Sequence, residues 1–277
     1  IKIPRGIQLS LLVMKWILRL VIGILLLVIG VFLLLYFIQE KIIFFPTKLP
    51  KDYKYPFDIP FEEVTLDSDG EEINSILFTK PDSKGVVLYL HGNAGNLASW
   101  AYVYEDFQYA PYDFWIIDYR GYGKSTGSIQ SEADLHADAE ALYQAALERY
   151  EGKEFIIYGR SIGSGVAAKL AKTHPPKILL LETPYYNFPD LVKSIYPFLP
   201  KFLLRYQLST DQYISNTEYP VHLFHGTKDE LIPYTSSLRL AELSAQITLH
   251  TVEDAGHNNI SDFPIFRERL LSILGKR

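Results

Sequence analysis

From Leu20 to Ile38 the chain runs through apolar and aromatic residues without one charge. That length approaches the ~20 residues a helix needs to cross the apolar core of a bilayer. Lys15 and Arg19 precede the stretch, and Tyr36, Phe37, Phe44 and Phe45 gather at its far end as interfacial aromatics do. The pattern predicts a transmembrane helix over 20–39, after an N-terminal tail at 1–19. A cleaved secretory signal is the alternative, but it calls for a shorter apolar core and a small-residue cleavage site, whereas Gln39-Glu40-Lys41-Ile42-Ile43-Phe44-Phe45-Pro46 follows. The only methionine is Met14, which makes it a candidate natural start with residues 1–13 as an upstream extension. Lys15 and Arg19 favour a cytoplasmic N-terminus, Lys41, Lys48, Lys51 and Lys54 oppose it, and the balance leans to a domain outside the cytoplasm.

Residues 40–60, with prolines at 46, 50, 56 and 60, read as an extended juxtamembrane linker. Beyond them the period changes. Runs at Phe61 to Leu66 and Ile73 to Thr79 flank Asp69-Gly70 as a hairpin. Short apolar runs, the mark of strands buried on both faces, follow at Val86 to Leu90, Phe114 to Ile117, Phe155 to Tyr158, Ile178 to Leu181, Val221 to Phe224 and Ile247 to Val252. Helical stretches separate them; Ser131 to Tyr150 is one, rich in Ala, Leu and Glu and free of proline and glycine. An opening hairpin followed by strand–helix alternation predicts an α/β domain over 61–277, with a mostly parallel eight-stranded sheet covered by helices on both faces. Ligands then bind at the carboxyl ends of the strands.

Composition narrows the function. The 277 residues are 48% hydrophobic and 21% charged, as in a globular domain, and the net charge of −5 comes with no basic stripe, so nucleic acid is not an expected partner. With no cysteine, the chain has no disulfide, thiolate metal site or cysteine nucleophile. No metal-ligand cluster or cofactor fingerprint is visible, and neither a metal nor a cofactor is expected.

The chemistry concentrates at predicted strand ends. Gly159-Arg160-Ser161-Ile162-Gly163 follows the strand ending at Tyr158 and has the G-x-S-x-G spacing of a nucleophile elbow, a sharp strand-to-helix turn that exposes a serine hydroxyl. The helix from Ile162 to about His174 points its N-terminus, with free N–H groups, at the site. His91-Gly92-Asn93-Ala94-Gly95-Asn96 is a small-residue loop able to present N–H groups to an oxyanion, and the expected donors are Asn93 and Ile162. A plain tight turn or a phosphate cradle is the alternative, although the only G-K-S, at Gly123-Lys124-Ser125, lies in another loop and has Asp118 where a P-loop has its first glycine. Asp229, after the Val221 strand, is the expected acid, with Glu182 as its rival, and His257, after the last strand, the general base. His91 and His225 read as residues that fix their loops.

Together, His91-Gly-Asn-Ala-Gly-Asn96, Asp118-Tyr-Arg-Gly-Tyr-Gly-Lys-Ser125, Gly159-Arg-Ser-Ile-Gly163, His225-Gly-Thr-Lys-Asp229 and Gly256-His257 resemble the α/β-hydrolase fold. In particular they resemble its membrane-anchored ABHD-type branch of serine-aminopeptidase-like hydrolases. The resemblance spans about residues 40–275 and implies Ser161, Asp229 and His257 as a catalytic triad. Residues 183–219 carry many aromatics and read as a small helical cap, with Tyr185, Tyr186 and Phe188 as candidate substrate-binding residues; packing of the cap on the sheet is the alternative for them. A tethered site under an apolar cap points to esters or thioesters of lipid-like substrates, with the bilayer itself as a partner. A peptidase, or a non-catalytic binding protein that keeps the fold, is the alternative.

Overall fold

The computed structural model describes residues 5–276, with side chains from residue 13 onward. Of the expected N-terminal tail, residues 1–4 lie outside the described residues, and 5–19 are already helical. Helix α1 (Arg5–Phe37) is continuous, and its stretch Val13–Phe37 is long and apolar enough to cross a membrane and is not covered by the rest of the chain. It begins well before Leu20 because Lys15 and Arg19 are good helix formers set among apolar neighbours. A short helix α2 (Gln39–Ile43) follows.

Residues 40–60 are not a free linker. Phe44 and Tyr55 are buried in the domain, and single bridges pair Pro46 with Gly95 and Lys48 with Gly123. The prolines keep the segment extended, while its aromatics find apolar cover only against the sheet.

The domain opens with β1 (Glu62–Ser68) and β2 (Glu71–Phe78). Their turn holds Asp69 at φ 54° and Gly70 at φ 85°, the pair of left-handed residues that a two-residue hairpin of this twist requires. Strand β3 (Gly85–Leu90), helices α3 (Leu97–Trp100) and α4 (Tyr104–Phe107), and strand β4 (Asp113–Ile117) follow. Then come α5 (Glu132–Arg149), β5 (Glu154–Arg160), α6 (Ile162–Thr173) and β6 (Ile178–Glu182). Asp134 caps α5 by accepting from the Ser131 N–H at 2.8 Å. Between β6 and the next strand lie α7 (Phe188–Ile195) and α8 (Thr210–Ile214), in the segment expected to form a cap. Strand β7 (Val221–Gly226), α9 (Thr235–Ala241), β8 (Ile247–Val252) and α10 (Pro264–Leu274) complete the chain.

The eight strands form one sheet in the order 1-2-4-3-5-6-7-8. Only β1 with β2 and β2 with β4 pair antiparallel. Every residue of β3, β4 and β6 is buried, as the uninterrupted apolar runs require of strands covered on both faces. One layer packs Leu135, Leu142, Val166 and Leu170 of α5 and α6 against Leu88 and Trp115. The other packs Phe107, Phe266 and Leu270 of α4 and α10 against Tyr89, Phe114 and Tyr158. The carboxyl ends of β3, β5, β6, β7 and β8 therefore open on one edge, where the loops singled out in the sequence converge.

Candidate active site

Ser161 sits between β5 and α6 at φ 52°, ψ −120°, a conformation an L-residue holds only under surrounding constraint. Its N–H donates to Glu182 O at 2.9 Å and its carbonyl accepts from Ser164 N at 2.9 Å and Ser164 Oγ at 2.6 Å. The constraint also comes from the flanking glycine. A Cβ at Gly163 would collide with the carbonyls of Leu90 and His91 at the end of β3, so the turn closes against that strand only with glycine there.

His257 is buried, with Nε2 3.0 Å from Ser161 Oγ and Nδ1 2.8 Å from Asp229 Oδ2. A carboxylate can only accept, so Nδ1 carries the proton and, in the neutral ring, Nε2 is left to accept from the serine hydroxyl. The other oxygen of Asp229 accepts from the N–H groups of Leu231 (2.9 Å) and Ile232 (2.8 Å). His225 Nε2 stands 3.2 Å from Asp229 Oδ2 and 3.0 Å from Ile232 O, and its Nδ1 is 2.7 Å from Ser237 Oγ. Since Ile232 O only accepts, His225 is protonated at Nε2 and takes the Ser237 hydroxyl on Nδ1. Burial by itself would raise the Asp229 pKa. The hydrogen bonds from His225 and His257, the charge of His257 and the Ile232 N–H outweigh it and hold the carboxyl well below its usual range.

Glu182, the rival acid, is engaged elsewhere. Its Oε1 lies 3.0 Å from Arg160 Nε and its Oε2 accepts from Tyr158 Oη at 2.6 Å. Arg160 also reaches the His257 carbonyl from Nη2 at 3.2 Å and lies over the Trp100 ring. Burial opposes the guanidinium charge, but the Glu182 carboxylate overrides it and raises the Arg160 pKa. The sequence reading gave Arg160 no role; its one local signal is its place beside the serine.

The loop after β3 lies against the serine: a Cβ at Gly92 would come within 3.3 Å of Ser161 Cβ. Ile162 opens α6, and neither its N–H nor that of Asn93 has an acceptor among the described residues. His91 does fix its loop, with Nδ1 2.6 Å from Gly92 O and the ring stacked on Trp100.

The three expected substrate-binding aromatics divide. Tyr185 is buried under the start of α6, donating to Ile162 O at 3.0 Å, and Phe188 is buried with its ring edge-on to Tyr185. Both belong to the core that packs the segment after β6 against α6 and the sheet. Tyr186 is half-buried, with the Arg239 guanidinium 3.7 Å over its ring.

A family model described as "Serine aminopeptidase, S33" matches residues 81–214. Protein bem46 of Schizosaccharomyces pombe is 29% identical, over 79% of this chain and 80% of its own length. Human alpha/beta hydrolase domain-containing protein 17B is 31% identical, over 75% of this chain and 72% of its own. The lysophosphatidylserine lipase ABHD12 of Danio rerio is 32% identical over 59% of this chain and 48% of its own, so the chain spans about half of that relative. Among solved structures, the Pyrococcus furiosus esterase PF2001 superposes with a TM-score of 0.68 at 18% identity, over 84% of this chain and 97% of the esterase, a likeness of fold.

Proposed function

The chain belongs to the ABHD-type α/β-hydrolases and is a serine hydrolase; on that premise we propose that it cleaves carboxylic esters or thioesters of lipid-like substrates while anchored in a membrane by α1. The observation that carries the reading is the relay from Asp229 through His257 to Ser161, with contacts of 2.8 and 3.0 Å. Ser161 Oγ attacks the acyl carbon as His257 Nε2 takes its proton. The carbonyl oxygen becomes an oxyanion that the N–H groups of Asn93 and Ile162 stabilise, a contribution worth about 3–4 kcal/mol per well-aimed donor. His257 then gives the proton to the departing alkoxide or thiolate, and the acyl group stays on Ser161. A water deprotonated by the same nitrogen hydrolyses the acyl-enzyme, and the proton returns to Ser161. Asp229, held by His225 and by two backbone N–H groups, fixes the imidazole and offsets its charge in both halves.

Two observations support a lipid-like substrate. The first is that the cap is fastened to the end of the anchor: Gln39 Nε2 donates to Leu203 O at 2.7 Å, Arg205 N donates to Gln39 Oε1 at 3.0 Å, and Arg205 Nη1 pairs with Glu40 at 2.7 Å. The second is its apolar tip, where Phe198 is 95% and Phe202 80% exposed, which suits a surface lying on a bilayer. The printed activity of ABHD12 agrees with this class. Tyr186, half-buried beside Arg239, is the aromatic we assign to the acyl site, and Lys15 and Arg19 favour an extracytoplasmic domain against the opposing Lys41, Lys48, Lys51 and Lys54.

The test is labelling of the full-length protein in detergent by a fluorophosphonate probe, beside turnover of p-nitrophenyl esters of increasing chain length. Wild type should label, Ser161→Ala should not, and kcat/KM should rise with acyl length. A folded wild type that neither labels nor turns over removes the catalytic reading. Faster cleavage of aminoacyl amides than of esters would move the assignment to a peptidase, the activity printed for the matched family.

A further inference from the structure

Residues 43–49 lead away from the membrane-length helix and run directly across the loop after β3. The Asn93 side chain is spent on them. Its Nδ2 donates to Ile43 O, and its Oδ1 accepts from Phe45 N at 3.2 Å, Ala94 N at 2.8 Å and Tyr122 Oη at 3.1 Å. A backbone carbonyl only accepts and a backbone N–H only donates, so these partners fix the amide in one orientation. Further along, Thr47 N donates to Gly95 O at 3.0 Å, Asn96 Nδ2 donates to Thr47 O at 3.0 Å, and Gly123 N also reaches Thr47 O at 3.0 Å. Phe44 sinks into the core, edge-on to Tyr206 of the cap.

The loop needs such a hold. Ala94 at φ 66° and Gly95 at φ 73° are two consecutive left-handed residues, an arrangement that alanine adopts only under constraint. These two residues and the Asn93 side chain fix the backbone on the carboxyl side of Asn93, and with it the Cα from which the Asn93 N–H projects into the site. We infer that residues 43–49 are a strap that sets the oxyanion loop, and that the Asn93 side chain is the positioning residue that fastens it, so that the exit from the anchor and the catalytic loop move as one unit. The inference rests on the mechanism proposed above. Oxyanion donors act on the transition state and not on the bound ester, so a loosened strap lowers kcat and leaves KM in place.

The test compares Phe45→Pro, which deletes the strap N–H donated to Asn93, with Phe45→Ala, which keeps it, and adds Asn93→Ala, all in the full-length chain. Phe44, at φ −107° and ψ 133°, already has the conformation that a following proline demands. Turnover of p-nitrophenyl butyrate is read beside amide hydrogen exchange at residues 92–96. Expected are a kcat for F45P and N93A at least about tenfold below F45A, KM within about twofold, and faster exchange in the loop. If F45P and N93A match F45A in kcat and in loop exchange, the strap is overturned while the hydrolase stands. If even the wild type cleaves no ester, the proposed activity falls, and exchange at 92–96 alone decides whether the strap holds the loop.

Discussion

Glu182 and Asp229 stand at the ends of neighbouring strands of one sheet, and their side chains are 5% and 0% exposed. Their partners separate them. Glu182 faces a guanidinium that stays charged at any working pH and a tyrosine hydroxyl that lends it a proton, so its negative charge is already neutralised in place. Asp229 faces two imidazoles and two backbone N–H groups, and one of those imidazoles reaches the serine. A carboxylate matched to a permanent cation has nothing left to offer a reaction. One matched to a ring that gains charge only during turnover stabilises that charge when it forms. The pair at Arg160 touches the site indirectly, through the hydrogen bond from Arg160 to the His257 carbonyl.

The largest expected effect tests this division. Asp229→Asn should keep the shape of the site but lower kcat about 10³–10⁴-fold, because the amide cannot fix the working tautomer or offset the imidazolium. Glu182→Gln should leave kcat within about tenfold. If the two substitutions lower kcat equally, the carboxylates share the role and the division fails. The second effect is on stability. Glu182→Gln leaves the buried Arg160 guanidinium without its charge partner, at a cost of about 3–5 kcal/mol. Joint replacement by apolar residues, Arg160→Met with Glu182→Leu, should recover most of it, as read by urea titration. A double variant no more stable than the single one would show that the pair holds the elbow by more than its charge balance.

Much of this is legible in the sequence. The short apolar runs coincide with β3 to β7 because a strand buried on both faces must be apolar throughout, and few other elements of that length are; β8, at the sheet edge, is buried only at Ile247 and Val252 and carries Thr248, His250 and Thr251 between them. The elbow was legible because its glycines stand at a fixed spacing on either side of the serine, whatever strand Gly163 then meets. What escaped is what depends on distant parts of the chain. Arg160 occupies a position where the motif accepts any residue, and only the fold supplies Glu182 and the His257 carbonyl to it. The strap escaped for the same reason: its proline, Pro46, announces extended backbone but not the loop it lies on. Tyr185 and Phe188 show a third kind of limit, since apolar aromatics fit a pocket wall and a packed cap equally well, and only the fold places them under α6.

Strand β7 repeats the comparison on a smaller scale, because it carries a histidine near each end. His225, at its carboxyl end, shares Asp229 with the site. His222, near its start, lies with Nδ1 2.9 Å from His250 Nε2, and no carboxylate contacts either ring among the described residues. Burial, with the nearby charges of His222 and Arg269, lowers the His250 pKa to about 4, and burial lowers that of His222 as well. Between pH ~6.5 and ~4 the unfolded chain therefore binds protons at these positions that the fold refuses, so stability falls as the pH drops through that window. Asp229 contributes in a lower range, its stabilisation being lost only as the pH falls below ~4. His250 stacks on Phe224 with centroids 4.8 Å apart, so His250→Phe keeps the ring contact and removes the titration. Wild type should lose on the order of 2–4 °C more in Tm than His250→Phe between pH 7 and pH 5, a modest difference because solvent at the strand surface screens part of the repulsion. Parallel Tm profiles for the two proteins over that range would place the acid sensitivity of the fold elsewhere, at the carboxylates of the active-site edge.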